Sequence, residues 1–339
     1  MGISKKLMSA AGAGDKTYLV AANRKASPNG GIGVFDITNP TNITHEGNFA
    51  QSLLNEPEKL GYSEGSNFLV VGGVSGNRIA TFDMSDPTNA VAAGGFDFTV
   101  LGLTMAPSGN HVYAGRQSSG GIYAFSISAS GALSFFTAYS PTGGFDFATT
   151  GFVFAYDAAR DDIFGGGDLT YDRAAALNVV TPTSFSLVSN FNNVAYNNVI
   201  RAKHDDAEKI LFTLIDESPY RFAATNTTNP SSLSVLSSVD VGTGVMDFDI
   251  DPVNKKAYVL TNTALRSVNY STPSSISVLQ TLTVGSSNRG ISYHDGYVFI
   301  TEAGGTVRAV DVSNPSSMVL ADTLSGLSGD YYQSAIVVR

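Results

Sequence analysis

Two short stretches set acids, an arginine and a tyrosine side by side. "GGGDLTYDRAA" holds Asp168, Tyr171, Asp172 and Arg173, and "IDESPYRFAA" holds Asp216, Glu217, Tyr220 and Arg221. A third stretch, "SPTGGFDFATTG", adds Phe145, Asp146 and Phe147. Aromatic faces next to carboxylates and a guanidinium suit recognition: they stack on and hydrogen-bond to sugars, or they anchor a protein partner. Carboxylate pairs also hydrolyse glycosides when correctly separated, a distance set by the fold and not by the sequence. The same residue types also serve as Tyr–Arg–Asp pairs that anchor their own loops.

Other chemistry is sparse. "DFDIDP" alternates Asp247, Asp249 and Asp251 onto one strand face, a row that could attract a cation, but no distal Glu completes a calcium loop. His111, His204 and His294 fall near turns, and His45 follows the turn "NPTNIT"; all four read as solvated turn residues and not as metal or acid–base groups. The sequence lacks an H-E-x-x-H pair and a Walker loop. It also lacks cysteine, which excludes a disulfide, a thiolate nucleophile and a Cys-ligated metal. The expectation is no catalytic set, no metal and no cofactor.

Composition narrows the partners. Twenty Lys and Arg stand against 29 Asp and Glu, giving a net charge of −9. Nucleic acid and anionic membrane surfaces need a basic footprint that is missing. Only 14% of residues are charged, so the surface relies on Ser, Thr, Asn and Gly. No run approaches the ~18 apolar residues of a membrane span. "LMSAAGAG" is too short and Gly-rich for a secretory core, and Lys6 breaks the myristoylation pattern.

The elements that position these residues come from a repeat. Aligned on proline, one phrase reads "VFDITNP", "TFDMSDP", "ALNVVTP", "ATNTTNP", "SVNYSTP" and "AVDVSNP", ending at Pro40, Pro87, Pro182, Pro230, Pro273 and Pro315. The intervals are 47, 95, 48, 43 and 42 residues, and the double interval hides an altered copy, "IYAFSISASGALSFF". Each copy is an alternating, half-buried strand, then a turn that Pro enforces, then a second short strand. Asp or Asn stands four residues before each proline. Two more strands precede each phrase, for example "KLGYSEG" and then "NFLVVGG".

Four strands in 42–48 residues is a propeller-blade period. The first blade has no room for its first strand, while "YYQSAIVVR" is left over at the end. The expected fold class is therefore all-β: a seven-bladed β-propeller with four antiparallel strands per blade, the ring closed by the C-terminal strand joining the N-terminal blade. Residues 17–339 form the propeller and residues 1–16 an extension.

On these phrases, over about 320 residues of repeat pattern, the chain resembles propellers of the LVIVD-repeat, lactonase-like and YncE-like type. That resemblance implies the fold; such propellers include enzymes, scaffolds and receptors. The opening "MGISKKLMSAAGAG" resembles the start of structural proteins of tailed bacteriophages. It implies a virion protein attached through Ile3, Lys5, Lys6, Leu7 and Met8, with other virion proteins and a host glycan or surface protein as partners. The alternatives are an exported bacterial scaffold or ligand-binding module, at the cell surface or in the periplasm, and a lactonase-like hydrolase.

Overall fold

The computed structural model describes residues 15–25, 30–49, 54, 56–73, 78–97, 99–106, 110–116, 121–139, 153–166, 173–181, 184–192 and 198–339. Among them, strands β1 to β28 in chain order pair into seven four-stranded antiparallel sheets. Six sheets are contiguous in sequence, over 57–97, 100–139, 153–192, 199–240, 245–283 and 288–324. The seventh takes residues 17–49 and gains its fourth strand from the chain's last one. There β28 (Tyr331–Val338) runs antiparallel to β1 (Thr17–Asn23), from Val338 opposite Thr17 to Tyr331 opposite Asn23. The Arg339 side chain then reaches the next sheet, donating to the Met84 carbonyl at 2.7 Å, Asn67 at 3.0 Å and the Tyr62 hydroxyl at 2.9 Å.

The innermost strands are β28, β4 (Pro57–Ser63), β8 (Val100–Met105), β12 (Val153–Asp157), β16 (Val199–Asp205), β20 (Val245–Asp251) and β24 (Asn288–His294). Each contacts the next in that order, and β24 contacts β28. Because neighbouring strands are antiparallel, the proline turns and the first-to-second-strand turns share one face of this cycle. The second-to-third-strand loops and the blade-to-blade connections share the other face.

Side-chain pattern follows depth in the sheet. Second strands such as "FLVVGG" and "ILFTLI" are buried at every position, because both sheet faces are covered by neighbouring sheets. Outermost strands alternate, as "SVLQTLT" does. The third strands differ from the half-buried reading: Ile79, Ala80, Thr81 and Phe82 are all enclosed. Ala80 and Phe82 pack toward the N-terminal blade and Ile79 toward the following one, so both faces of the strand are covered. Between two blades Phe212, Phe222, Phe248 and Tyr270 form one aromatic seam, with ring centroids 4.6 to 5.2 Å apart.

The repeated turn has two jobs. Asp36, Asp83, Asn226, Asn269 and Asp311 each accept the backbone N–H two residues on, at 2.8 to 3.2 Å. This bond starts the turn locally. The proline carbonyl then accepts a hydroxyl from the preceding blade: Ser237 to Pro273 at 2.6 Å, Ser267 to Pro315 at 2.5 Å, and Ser189 to Pro230. In the altered copy Thr81 donates to Gly131 instead. Gly131 has φ +81, and a Cβ there would lie 2.3 Å from that of Ala93 and 2.6 Å from the Phe68 ring, so only glycine fits.

Ser267 is fully enclosed. Ser267→Ala leaves the Pro315 carbonyl without this donor and should cost about 1–3 kcal/mol. Denaturant unfolding measures it; an unchanged midpoint would show that the inter-blade bond contributes nothing.

Candidate functional site

The inner strands enclose a cavity of about 430 Å³ to which every one of them contributes. Six of the seven step out of register near their first residue. One residue is skipped between Pro57 and Lys59, Val100 and Gly102, Val199 and Arg201, Val245 and Asp247, and Asn288 and Gly290. In β28, Tyr332 and Gln333 together oppose Ala22. Such bulges re-aim side chains. They lie at the end of the channel opposite the proline turns.

Charge in the cavity is arranged as rungs between neighbouring strands. Arg201 donates to Asp247 at 3.0 Å, and Lys203, one step further along the same strand face, to Asp249 at 2.6 Å. Across the channel Lys59 lies 2.8 Å from Glu58, and Arg24 lies 3.4 Å from the same carboxylate. Burial raises the Asp247 carboxyl above its usual value although Arg201 and Lys203 oppose it. Burial also pushes the Glu58 carboxyl upward, but Lys59, Arg24 and Arg201 outweigh that and hold it below the usual range. The Lys59 ammonium is lowered, by burial first and by the charge of Arg201 second, against the pull of Glu58.

The acidic row therefore does not form a cation cradle. Asp247 and Asp249 are spent on Arg201 and Lys203, and Asp249 also accepts the Tyr293 N–H at 2.8 Å. Asp251 closes its turn, accepting from the Val253 and Asn254 N–H groups and from the Asn254 side chain, and takes the Tyr293 hydroxyl at 2.8 Å. The histidines are not solvated turn residues. His204 lies in β16 with its side chain enclosed, and burial lowers His111 and His294.

Asp157, His204 and Asp206 come within 4.8 Å of one another, close enough for one ion. Their atoms are already engaged, however. His204 bonds Asp206 at 2.7 Å and Thr227 at 2.8 Å, while Lys209 and Arg160 sit on Asp157 at 3.0 and 2.7 Å. A cation would have to displace two others, so these donors do not suit a metal.

Of the loop cluster read from the sequence, Phe145, Asp146, Phe147, Asp168, Tyr171 and Asp172 lie outside the described residues, as do Ile3, Lys5, Lys6, Leu7 and Met8. Arg173 opens the third strand of its blade, and its side chain is outside the described set. Three of the other four are engaged within the protein. Asp216 is held through its backbone, its N–H donating to the Asn198 carbonyl and its carbonyl accepting from the Asn198 side chain, and burial raises its carboxyl. Tyr220 packs on the aromatic seam, Arg221 bonds the Pro219 carbonyl, and Glu217 is exposed. No hydrogen bond or ion pair among the described residues joins these four side chains.

Fold and cavity together define an all-β propeller of four-stranded antiparallel blades with a charged central channel. A family profile, the LVIVD repeat, matches residues 285–324, the span of one blade. No curated protein matches the chain. Among solved structures it is similar to the periplasmic gluconolactonase PpgL of Pseudomonas aeruginosa, at 12% identity and TM-score 0.78 over 96% of this chain and 99% of that one. It is also similar to a protein from Lactobacillus plantarum, at 15% identity and TM-score 0.76 over 96% and 100% of the two chains. AztD from Citrobacter koseri is a third, at 11% identity and TM-score 0.70 over 96% and 99%. At these identities the likeness is one of fold.

Sequence reasoning missed Glu58, Lys59, Arg201, Lys203, Arg289 and Tyr332. The available signal is positional: they occupy the second to fifth places of the first strand in each repeat, in "PEKL", "VIRAK", "NRGI" and "YYQS".

Lys59 offers a pH test. Its ordinary value is 10.5, and the folded protein gives up this proton before the unfolded chain does. Stability attributable to Lys59 therefore rises with pH between its lowered folded value and 10.5, and Lys59→Met should abolish that rise. Urea unfolding of both proteins between about pH 7 and 10 reads the difference; parallel curves would contradict it.

Proposed function

We propose that this chain is a non-enzymatic binding propeller, a structural component of a tailed-phage virion that contacts a host-surface glycan. In this reading the seven sheets act as one closed ring, with β28 as the clasp. The sheet orders and the cycle of inner-strand contacts support that closure. One observation carries the binding role: the cavity's acids, Glu58, Asp247 and Asp249, each already hold a cation at 2.6 to 3.0 Å. A general base or nucleophile needs a free lone pair near its substrate, and these carboxylates are committed to neighbours. The virion assignment rests on the opening "MGISKKLMSAAGAG", with Ile3, Lys5, Lys6, Leu7 and Met8 as the attachment and other virion proteins as partners. Acidic charge argues against nucleic acid as a ligand.

A second reading, a lactonase-like hydrolase, is favoured by one feature, the lowered Lys59 ammonium in a cavity of substrate size. The gluconolactonase among the similar structures is compatible with it. An exported bacterial scaffold would use the same binding geometry without the particle.

Mass spectrometry of gradient-purified particles, with copy number taken against the major capsid protein, tests the leading reading. Stoichiometric presence, lost on deletion of residues 1–14, is the expected result. Absence from particles, together with turnover of a sugar lactone that Lys59→Met abolishes, would replace it with the hydrolase.

A further inference from the structure

The bulges bring one residue from each of five blades to the same end of the channel: Glu58, Ile200, Met246, Arg289 and Tyr332. Arg24 joins them from the end of β1, donating to the Tyr332 hydroxyl at 3.3 Å. The set forms a collar at the mouth of the cavity, on the face opposite the proline turns. Its apolar part is Ile200 and Met246, and its polar part is Arg24, Glu58, Arg289 and Tyr332.

Arg289 differs from the other channel cations. Arg201 and Lys203 each hold an aspartate, and Lys59 and Arg24 share Glu58. Among the described residues Arg289 has no carboxylate partner. Its Nη1 reaches only the Met246 sulfur, at 3.6 Å, and its Nε is enclosed without an acceptor. Arg24 and Lys59 share Glu58, with Glu56 also acting on Arg24 and Asp247 on Lys59. Arg289 thus brings to the mouth a charge that no carboxylate among the described residues answers, in a chain of net charge −9. Excess charge away from bulk water is costly, and an incoming anion relieves it.

The geometry is also fixed before any ligand arrives. The Arg24 and Arg289 guanidinium carbons lie 5.1 and 5.5 Å from the Tyr332 ring centroid, so one aromatic ring steadies both cations. Tyr332 accepts from Arg24, which leaves its own hydroxyl proton to donate. A planar guanidinium matches a carboxylate in a two-pronged bond. Behind the collar the cavity offers hydroxyl and amide groups, including Thr104, Ser334 and Gln333. Gln333 uses its carbonyl oxygen to accept the Leu60 N–H at 3.1 Å, which leaves its NH₂ as a donor. Met246 and Ile200 supply an apolar shelf for the C–H face of a ring.

We propose that this collar binds a pyranose bearing a ring carboxylate, a uronic-type sugar, with Arg289 on the carboxylate and the cavity on the hydroxyls. The inference rests on the glycan-binding reading above and names its ligand. It takes one sugar per ring, because the channel has one such mouth and the overall negative charge repels a long polyanion.

The test is calorimetric titration of the full chain with D-glucuronate, D-glucose and inorganic phosphate. Glucuronate should bind, with glucose at least about tenfold weaker and glucuronate affinity falling as salt rises. Arg289→Gln should reduce glucuronate affinity about tenfold or more, and Arg289→Lys should recover only part of it, because an ammonium cannot make the paired bond. Lys256→Gln, on the proline-turn face, should leave binding unchanged. Thermal unfolding of each variant separates lost binding from lost folding, and Arg289→Lys keeps the charge should the glutamine variant not fold. Equal binding of glucose, unchanged binding in Arg289→Gln, or phosphate binding as tightly as glucuronate would each overturn the proposal. A glycan array returning a neutral ligand would overturn the collar assignment alone. Absence from particles would remove the virion role and leave the sugar site standing.

Discussion

A four-stranded sheet of this size cannot stand alone in water: both its faces are apolar, and neither is covered from within. Each blade here is stable only because the next one covers it, and this dependence runs through the whole molecule. It explains why second strands such as "FLVVGG" and "ILFTLI" are enclosed at every position, and why the third strands "RIATFD" and "RFAATN" carry four enclosed residues in a row. It also explains why the turn phrase is repeated so faithfully. The phrase bends its own chain through an Asp or Asn side chain, and its proline carbonyl takes a hydroxyl from the blade before. A single five-residue turn thus sets both the fold of one blade and its position against the last.

The same stacking concentrates charge at the centre. Inner strands converge where there is least room for water, so their polar side chains must answer one another. Arg201 with Asp247 and Lys203 with Asp249 do so between adjacent strands, each pair 46 residues apart, about one blade repeat. Such pairs contribute little net stability once desolvation is counted, but breaking one leaves a charge that nothing solvates. The channel is therefore electrostatically settled along most of its length, and Arg289 is the exception at its mouth.

Much of the architecture was legible because its causes are local. Asn-Pro and Asp-Pro turns, apolar second strands and the leftover "YYQSAIVVR" each declare themselves within a few residues. The channel residues do not. Arg289 and Tyr332 look like ordinary polar positions until a skipped register, a relation between two strands, moves them to the mouth. His204 reads as a turn residue because its burial is caused by Phe164 from another blade, stacked 5.2 Å away. In the other direction, "IDESPYRFAA" carries the residue types of a binding site, but Tyr220 packs on the core and Arg221 bonds its own loop at the Pro219 carbonyl. Composition cannot tell inward from outward use of the same groups.

The bulges separate two sets of demands on the chain. Residues in register are constrained by the blades on either side, whereas a skipped residue has no cross-strand partner to satisfy. Glu58, Ile200, Met246, Arg289 and Tyr332 are therefore answerable to one another and to the channel, not to a strand partner: Glu58 to Lys59 and Arg24, and Tyr332 to Arg24 and Arg289. A substitution at one of them would be felt around the rim before it was felt in the sheets.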